Sequence, residues 1–312
     1  MDAPDLTWRP LTRDDAAALA ALRNLGEEVD GTHQPMDAQQ VAEELSRPRF
    51  DPATDSLAAW VGDELVAAGS AGVRSQPVDG WALVGVDGVV HPDHRGRGTG
   101  VRLLHELERI GLAAAARRLP GVRVRLRTSG GLQGSSAQRL LEQEGYRPDN
   151  RFVTMQVDLA GWDDPGHASS AVAPDPEALV ATREAHNDAF RDHRNHSDIP
   201  ADAWQHWTSS SASRQGQSAV VVEDGRVLSY ALAGEFEPGV LHVTIVGTRR
   251  EARGRGLGRQ VLLRHLREAR TAGYAVSELE VDDDSLTGAN RVYEAVGYRA
   301  VRTISRYVKD VG

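Results

Sequence analysis

The stretch Val89-Val90-His91-Pro92-Asp93-His94-Arg95-Gly96-Arg97-Gly98-Thr99-Gly100 returns later as Gly247-Thr248-Arg249-Arg250-Glu251-Ala252-Arg253-Gly254-Arg255-Gly256-Leu257-Gly258. Arg253 follows Arg95 by 158 residues, about half of a 312-residue chain. Each copy comes after an apolar, strand-like run, near Trp81–Val90 and near Leu241–Thr248. Each precedes an amphipathic helix, marked by Val101, Leu104, Leu107 and Ile110 in one case and by Val261, Leu262, Leu266 and Ala269 in the other. The parallel runs on through the β-rich segments Val122–Thr128 and Val276–Val281. It then reaches two helix ends, Leu141-Glu142-Gln143-Glu144-Gly145-Tyr146 and Tyr293-Glu294-Ala295-Val296-Gly297-Tyr298, each with a glycine where a C-cap needs positive φ. Upstream, two hairpins are expected: Ala58–Gly69 turning at Gly62-Asp63-Glu64, and Ala219–Ala233 turning at Asp224-Gly225. This is a duplicated domain. Two copies form a tandem rather than a solenoid, because each is large enough for its own core.

The seam is expected at Ala160–Pro176, rich in Gly, Pro, Ser and Asp and poor in periodic apolar residues. The expected domains are therefore 1–159 and 177–312, with 160–176 as linker. A hydrophobic content of 40% with 26% charged residues suits globular domains. A net charge of −9 argues against a general binder of nucleic acid or anionic membranes. The absence of cysteine excludes disulfides, thiolate nucleophiles and Cys-ligated metals. The N-terminal residues lack an apolar signal region and no run is long enough for a membrane span, so a cytoplasmic protein is expected. The sequon at Asn195 carries no weight without secretion.

A glycine loop between strand and helix points several backbone N–H groups at one spot, and the helix dipole favours negative charge there. Arg95 and Arg97, or Arg253 and Arg255, would add charge for a pyrophosphate. Neither loop carries the Lys of a Walker motif. The dinucleotide pattern Gly-x-Gly-x-x-Gly fails at Val101 and Leu103, and again at Arg259 and Val261.

With these loops and the later run Asp282…Thr287-Gly288-Ala289…Tyr293-Glu294…Gly297-Tyr298, both halves resemble the GCN5-related N-acetyltransferase (GNAT) family over nearly the whole chain. The tandem is similar to acetyltransferases of the mycothiol synthase kind. The resemblance implies an α/β fold of two domains, each a mixed, mostly antiparallel sheet flanked by helices. It implies acetyl-coenzyme A as cofactor. The backbone of Gly88, Val89 and Val90, and of Val246, Gly247 and Thr248, would bind the pantetheine arm. The loops Gly96–Val101 (through Gly98, Thr99 and Gly100) and Gly254–Arg259 (through Gly256, Leu257 and Gly258) would hold the pyrophosphate. Tyr293 matches the family's general acid and Glu280 a position used as base. The family often has Asn where this chain has Ser285, which weakens one side-chain contact to the cofactor.

Acetyl transfer to an amine needs a base for the amine proton and an acid for the leaving thiolate. On the strand carrying them, Glu278 and Glu280 alternate with Leu279 and Val281, so both face one side, and Glu278 reads as a solvated strand residue. His242, facing away from a core side, is a second candidate base. In the first half Leu141 stands at the tyrosine position and Arg123, Arg125 and Arg127 replace the carboxylates, so the second half is expected to be the enzyme. His193 and Asp192 fall where the family covers the acceptor, and are candidate substrate contacts. His186, His193 and His196 have no convincing metal spacing, and Asp282-Asp283-Asp284 lacks the glycine of a calcium loop, so no metal is expected.

The expected function is direct acetyl transfer from acetyl-coenzyme A to a primary amine of a small molecule. Two alternatives stand beside it. One is a non-catalytic acyl-CoA-binding sensor or partner-binding module; the other is acetylation of a cysteinyl pseudodisaccharide, as in mycothiol synthesis. The expected assembly is a monomer whose halves form an internal pseudo-dimer, with a homodimer as the alternative.

Overall fold

Gly98 (φ +83°) and Gly256 (φ +75°) are left-handed residues at the N-caps of two long helices, a conformation that would cost a side-chain-bearing residue ~1–2 kcal/mol. Their composition thus fixes the two strand-to-helix turns around which each half is arranged. A computed structural model describes residues 6–193, 196–283 and 289–311. Asn195, and Asp284 to Gly288 with Ser285 and Thr287, lie outside the described residues.

The chain runs β1 (Thr7–Arg9), α1 (Ala16–Asp30), α2 (Ala38–Leu45), α3 (Pro52–Asp55), β2 (Ser56–Val61), β3 (Glu64–Val73), β4 (Trp81–Val90), α4 (Thr99–Arg118), β5 (Arg123–Ser129) and α5 (Ser136–Gln143). It continues through β6 (Arg147–Asp158), α6 (Pro176–Ala189), α7 (Ala201–Thr208), β7 (Ala219–Glu223), β8 (Arg226–Glu237), β9 (Val240–Thr248), α8 (Leu257–Thr271), β10 (Val276–Asp282), α9 (Ala289–Val296) and β11 (Arg299–Val311). Both expected hairpins form, β2–β3 and β7–β8, the second turning through Asp224 and Gly225, both at positive φ.

Two contact units arise. One holds the described residues through Asn150 together with those from Ile304 on; the other holds Arg151–Thr303. The first unit's sheet has the order β1-β2-β3-β4-β5-β11, antiparallel except for β4 beside β5. The second has the order β6-β10-β9-β8-β7, antiparallel except for β9 beside β10. Each sheet therefore includes a strand from the end of the other half of the sequence. α4 packs Leu103, Leu104 and Leu107 against Val84, Val86 and Leu126, with Tyr307 of β11 in the same core. α8 packs Val261, Leu262, Leu266 and Ala269 against Leu241, Val243 and Leu279.

The unit boundary differs from the expected linker at 160–176. Trp162 is buried in the second core and donates its indole N–H to the Val296 carbonyl at 2.8 Å. Asp164 grips Arg267 with two hydrogen bonds of 2.7 and 2.8 Å, and Val172 pairs with Val220. A lone tryptophan among small and polar residues leaves no periodicity to read. No helix among the described residues is long and apolar enough to cross a membrane.

Inside the second unit a polar chain is fully partnered. His265 Nδ1 lies 3.1 Å from the Gln217 carbonyl, so this nitrogen carries the proton, since a carbonyl only accepts. Nε2 then accepts from the Ser277 hydroxyl at 2.8 Å, and Tyr298 donates to Ser277 at 2.7 Å. Burial lowers His265 to about 4.

Two outcomes follow from this fold. Tyr307→Ala should cost ~3–5 kcal/mol in denaturant unfolding despite its place near the chain end, because it vacates the first unit's core. A loss below ~1 kcal/mol would count against that placement. His265 binds fewer protons folded than unfolded between pH 6.5 and about 4, so it withdraws stability as pH falls through that window. Its ring resonances should titrate near pH 4, and a midpoint near 6.5 would show the chain to be broken.

Candidate functional site

The parallel ladder of β9 and β10 runs from Val240/Val276 to Val243/Leu279 and stops, although the strands continue to Thr248 and Asp282. At that point β9 carries a β-bulge. Its register with β8 shifts between Leu232↔Ile245 and Ala233↔Val243, leaving Thr244 as the extra residue, and the Thr244 hydroxyl donates to the Leu232 carbonyl at 3.1 Å. A bulge bends its strand and increases twist, and the two strands part beyond it. From Ile245 to Thr248, β9 pairs with β8 on one side and presents its other backbone edge to the gap. Val246, Gly247 and Thr248 lie on that edge. In the first unit the β4–β5 ladder likewise stops at Gly85/Arg127, leaving Gly88, Val89 and Val90 beyond it. There, however, β3 and β4 keep one register from Ala67/Val90 to Val73/Val84, with no bulge.

The glycine loops close the same end of each sheet. α8 and α4 begin at Gly256 and Gly98 without a side-chain cap, so their first N–H groups remain available to an anion. The arginines do something other than the sequence suggests. Arg253 donates to Asp192 at 2.8 Å and to the Ala189 carbonyl at 2.7 Å, which ties the loop to the end of α6. Arg95 does the same in the first unit, forking onto Asp30 at 2.6 and 2.9 Å and reaching the Val90 carbonyl at 3.0 Å. Arg255 meets Glu223 at 2.5 Å and Arg259 meets His167 at 2.7 Å, while Arg97 is exposed. Apart from Arg97, the loop arginines are thus engaged within the protein, and the uncapped backbone amides at the start of each helix are left. Asp192 is engaged by Arg253 and Arg250.

The face of the second sheet opposite α8 gathers the titratable groups. Leu241, Val243, Leu279 and Val281 enter the core, so His242, Glu278 and Glu280 point the other way. Glu278 is only 4% exposed, not a solvated strand residue. Gln156 of β6, its cross-strand neighbour, donates to it at 2.6 Å; Arg302 lies 3.6 Å away and His242 Nδ1 3.5 Å away. Burial lowers the His242 pKa, with Arg302 adding to the effect and Glu237 opposing it. His242 Nε2, Arg302 Nε and Thr154 Oγ1 are buried with no hydrogen-bond partner among the described residues. Unsatisfied buried polar atoms cost ~1–3 kcal/mol each, so this face carries hydrogen-bonding groups the fold itself does not use. Glu280 is exposed, past the end of the ladder and opposite Thr154.

Tyr293 of α9 is 7% exposed and burial raises its pKa, so the phenol stays protonated. Tyr230 of β8 is fully buried, its hydroxyl 2.8 Å from His186 Nδ1, and burial brings His186 down to about 4. His193 stacks on Phe190, and burial lowers its pKa while Asp282 at the end of β10 pulls it back up. Tyr230, Gln156, Arg302 and the Thr244 bulge carry no local sequence signal, since each matters only through its neighbours across strands. Among the described residues no group of His, Asp or Glu is arranged to hold a metal ion.

The sequence model of the Acetyltransferase (GNAT) family matches residues 18–128 and 179–298. A mycothiol acetyltransferase of Nocardiopsis dassonvillei is 29% identical over 241 residues, covering 67% of this chain and 69% of that protein. The crystal structure of a GCN5-related N-acetyltransferase from Sphaerobacter thermophilus superposes with a TM-score of 0.74 at 26% identity, over 98% of this chain and 95% of that one. A tandem GNAT protein from the clavulanic acid biosynthesis pathway shares the fold with a TM-score of 0.71 at 16% identity, over 99% of both chains.

The gap edge makes one position sensitive. A Cβ on Gly247 would fall on the Tyr230 hydroxyl. Gly247→Ala should displace that ring, cost ~1–3 kcal/mol and raise the His186 midpoint from about 4 toward 6.5 in an NMR titration. An unmoved midpoint would mean that the close approach is not as described.

Proposed function

The chain belongs to the Acetyltransferase (GNAT) family, and from that premise we propose that its second unit transfers an acetyl group from acetyl-coenzyme A to a primary amine of a small molecule. The observation that carries this reading is the His242–Glu278 pair, buried on the sheet face beside the Thr244 bulge where β9 and β10 separate. The open edge Val246–Thr248 suits an extended amide-bearing arm, and the amides from Gly254 to Arg259 at the start of α8 suit its pyrophosphate. Gly254 and Gly256, with nothing within 4 Å of an added Cβ, leave that approach clear.

Acetyl-coenzyme A supplies the acetyl group as a thioester. His242, held neutral near pH 7 by burial, accepts the proton that the amine nitrogen loses as its bond to the carbonyl carbon forms. Glu278, 3.5 Å from Nδ1, stabilises the imidazolium that results. Tyr293, kept protonated by burial, gives a proton to the sulfur as the carbon–sulfur bond breaks. The products are an amide and a free thiol, with no covalent enzyme intermediate. Exposed Glu280 and the neighbouring Asp282 draw the cationic acceptor toward the gap, and His193 lines its approach. The acceptor class includes the cysteinyl pseudodisaccharide suggested by the mycothiol acetyltransferase relative. The first unit, with an unbroken β4 and Leu141 at the tyrosine position, is read as non-catalytic.

Release of free coenzyme A, followed with a thiol reagent over pools of amino sugars, polyamines, amino acids and cysteinyl pseudodisaccharide, tests this directly, because the chain has no cysteine background. One pool should drive release, and His242→Gln, Glu278→Gln and Tyr293→Phe should each lower kcat by ~10²–10⁴-fold. The acid limb of kcat/KM should lie below the ordinary histidine value, because burial lowers the His242 pKa, and should vanish in His242→Gln. Binding of acetyl-coenzyme A without release from any pool would favour the non-catalytic module instead.

A further inference from the structure

Glu278 is held by more groups than the acetyl-transfer step uses. Its Oε2 accepts from Gln156 Nε2 at 2.6 Å, while its Oε1 faces two groups at once, His242 Nδ1 at 3.5 Å and Arg302 Nη2 at 3.6 Å. Strand register brings them together. Gln156 of β6 and His242 of β9 both stand opposite Glu278 of β10, and Arg302 comes in from β11. The side chains of Glu278, Arg302 and His242 are 5, 11 and 16% exposed, so salt and water screen their charges little.

Oε1 is shared and held closely by neither neighbour. Both separations exceed an ordinary hydrogen bond, and Arg302 Nε and Nη2 have no hydrogen-bond partner among the described residues. A guanidinium keeps its proton at any working pH and is planar, so Arg302 is a permanent charge with a fixed orientation. Its burial is tolerable because the carboxylate lies beside it, and removing either member would leave the other uncompensated. With Nδ1 turned toward the carboxylate, that nitrogen carries the proton of the neutral imidazole and Nε2 keeps its lone pair.

The remaining surroundings of His242 come from β8 and α8. Phe236 sets its ring edge-on to the imidazole at 5.3 Å, and Gly234 lies across the ladder. Burial is the largest influence on His242; Glu237 at the end of β8 favours the imidazolium and Arg302 disfavours it. His265 of α8 also feels His242 and is neutral above about pH 4.

We propose that Arg302 is the positioning residue of the His242–Glu278 pair: it holds the shared oxygen back from His242, with Gln156 fixing the other oxygen, so that the imidazole stays neutral until an amine gives it a proton. Arg302 touches no reacting atom. Once Nε2 has taken the proton, Oε1 closes on Nδ1, so the carboxylate contributes most after the transfer has begun. This use of the pair rests on the acetyl-transfer reading, whereas the hold of Arg302 on the pair does not.

The test follows His242 by NMR titration of the full chain without substrate, its resonance assigned by its loss in His242→Gln, and then repeats the coenzyme A release assay across pH. Arg302→Met keeps the stem and removes the charge, and the His242 midpoint should rise by about one pH unit. Arg302→Gln, neutral yet able to hydrogen-bond Glu278, covers the case in which the Met variant folds poorly, and should raise it by about half a unit or more. Arg302→Lys keeps the charge and should leave the midpoint within about 0.3 unit of the parent. The acid limb of kcat/KM should move with the midpoint in each variant. A midpoint unmoved in both neutral variants, or moved equally by Arg302→Lys, would overturn the proposal. A raised midpoint that the acid limb does not follow would keep Arg302 in its place and remove His242 as the base, so the two readings fail separately.

Discussion

Everything at the candidate site depends on two adjacent parallel strands that stop pairing. A sheet interior normally satisfies both edges of every strand, and an unpaired edge within it is costly unless something takes its hydrogen bonds. In the second unit β9 leaves β10 just after Val243, where Thr244 is an extra residue, while α8 packing holds Leu241 and Val243 in place below; in the first, β4 leaves β5 after Gly85 without a bulge. The parting gives a backbone edge, a helix N-terminus at its end and a polar face beside it. None of these would be usable if the ladder continued.

Both units support that opening with the same device. An arginine in the glycine loop reaches to the end of its unit's first long helix, Arg95 to Asp30 of α1 and Arg253 to Asp192 just past α6, and to a backbone carbonyl. These pairs are half-exposed, so their worth lies in holding loop geometry more than in stability. With the framework held in common, the two copies differ in what the open face carries. His242 and Glu278 pair across the β9–β10 ladder, whereas Gly85 and Arg127 pair across β4–β5.

The second unit holds two separate polar sets, one satisfied and one not. The Gln217–His265–Ser277–Tyr298 chain is fully partnered and lies on the core side of β10, where it fixes how α8 and β10 pack. The opposite face of the same strand leaves His242 Nε2 and Arg302 Nε without partners. Alternation along β10 keeps the satisfied set and the unsatisfied set apart, Ser277 on one side and Glu278 on the other.

The sequence by itself determined the repeat, the strand–loop–helix order, both hairpins and the core faces of α4 and α8, because glycine conformation and hydrophobic period are local properties. It also marked His242 and Tyr293 as groups to watch. It misjudged Glu278, whose alternation with Leu279 and Val281 looks the same whether the outer face meets water or Gln156, Arg302 and His242. It assigned 160–176 to a linker, because one buried Trp162 makes no pattern. Tertiary structure alone decided that the final strands lie in each other's sheets, that Arg253 grips Asp192, and that Thr244 is a bulge. Each of these rests on a partner distant in sequence, and no local spacing records which partner the fold will bring.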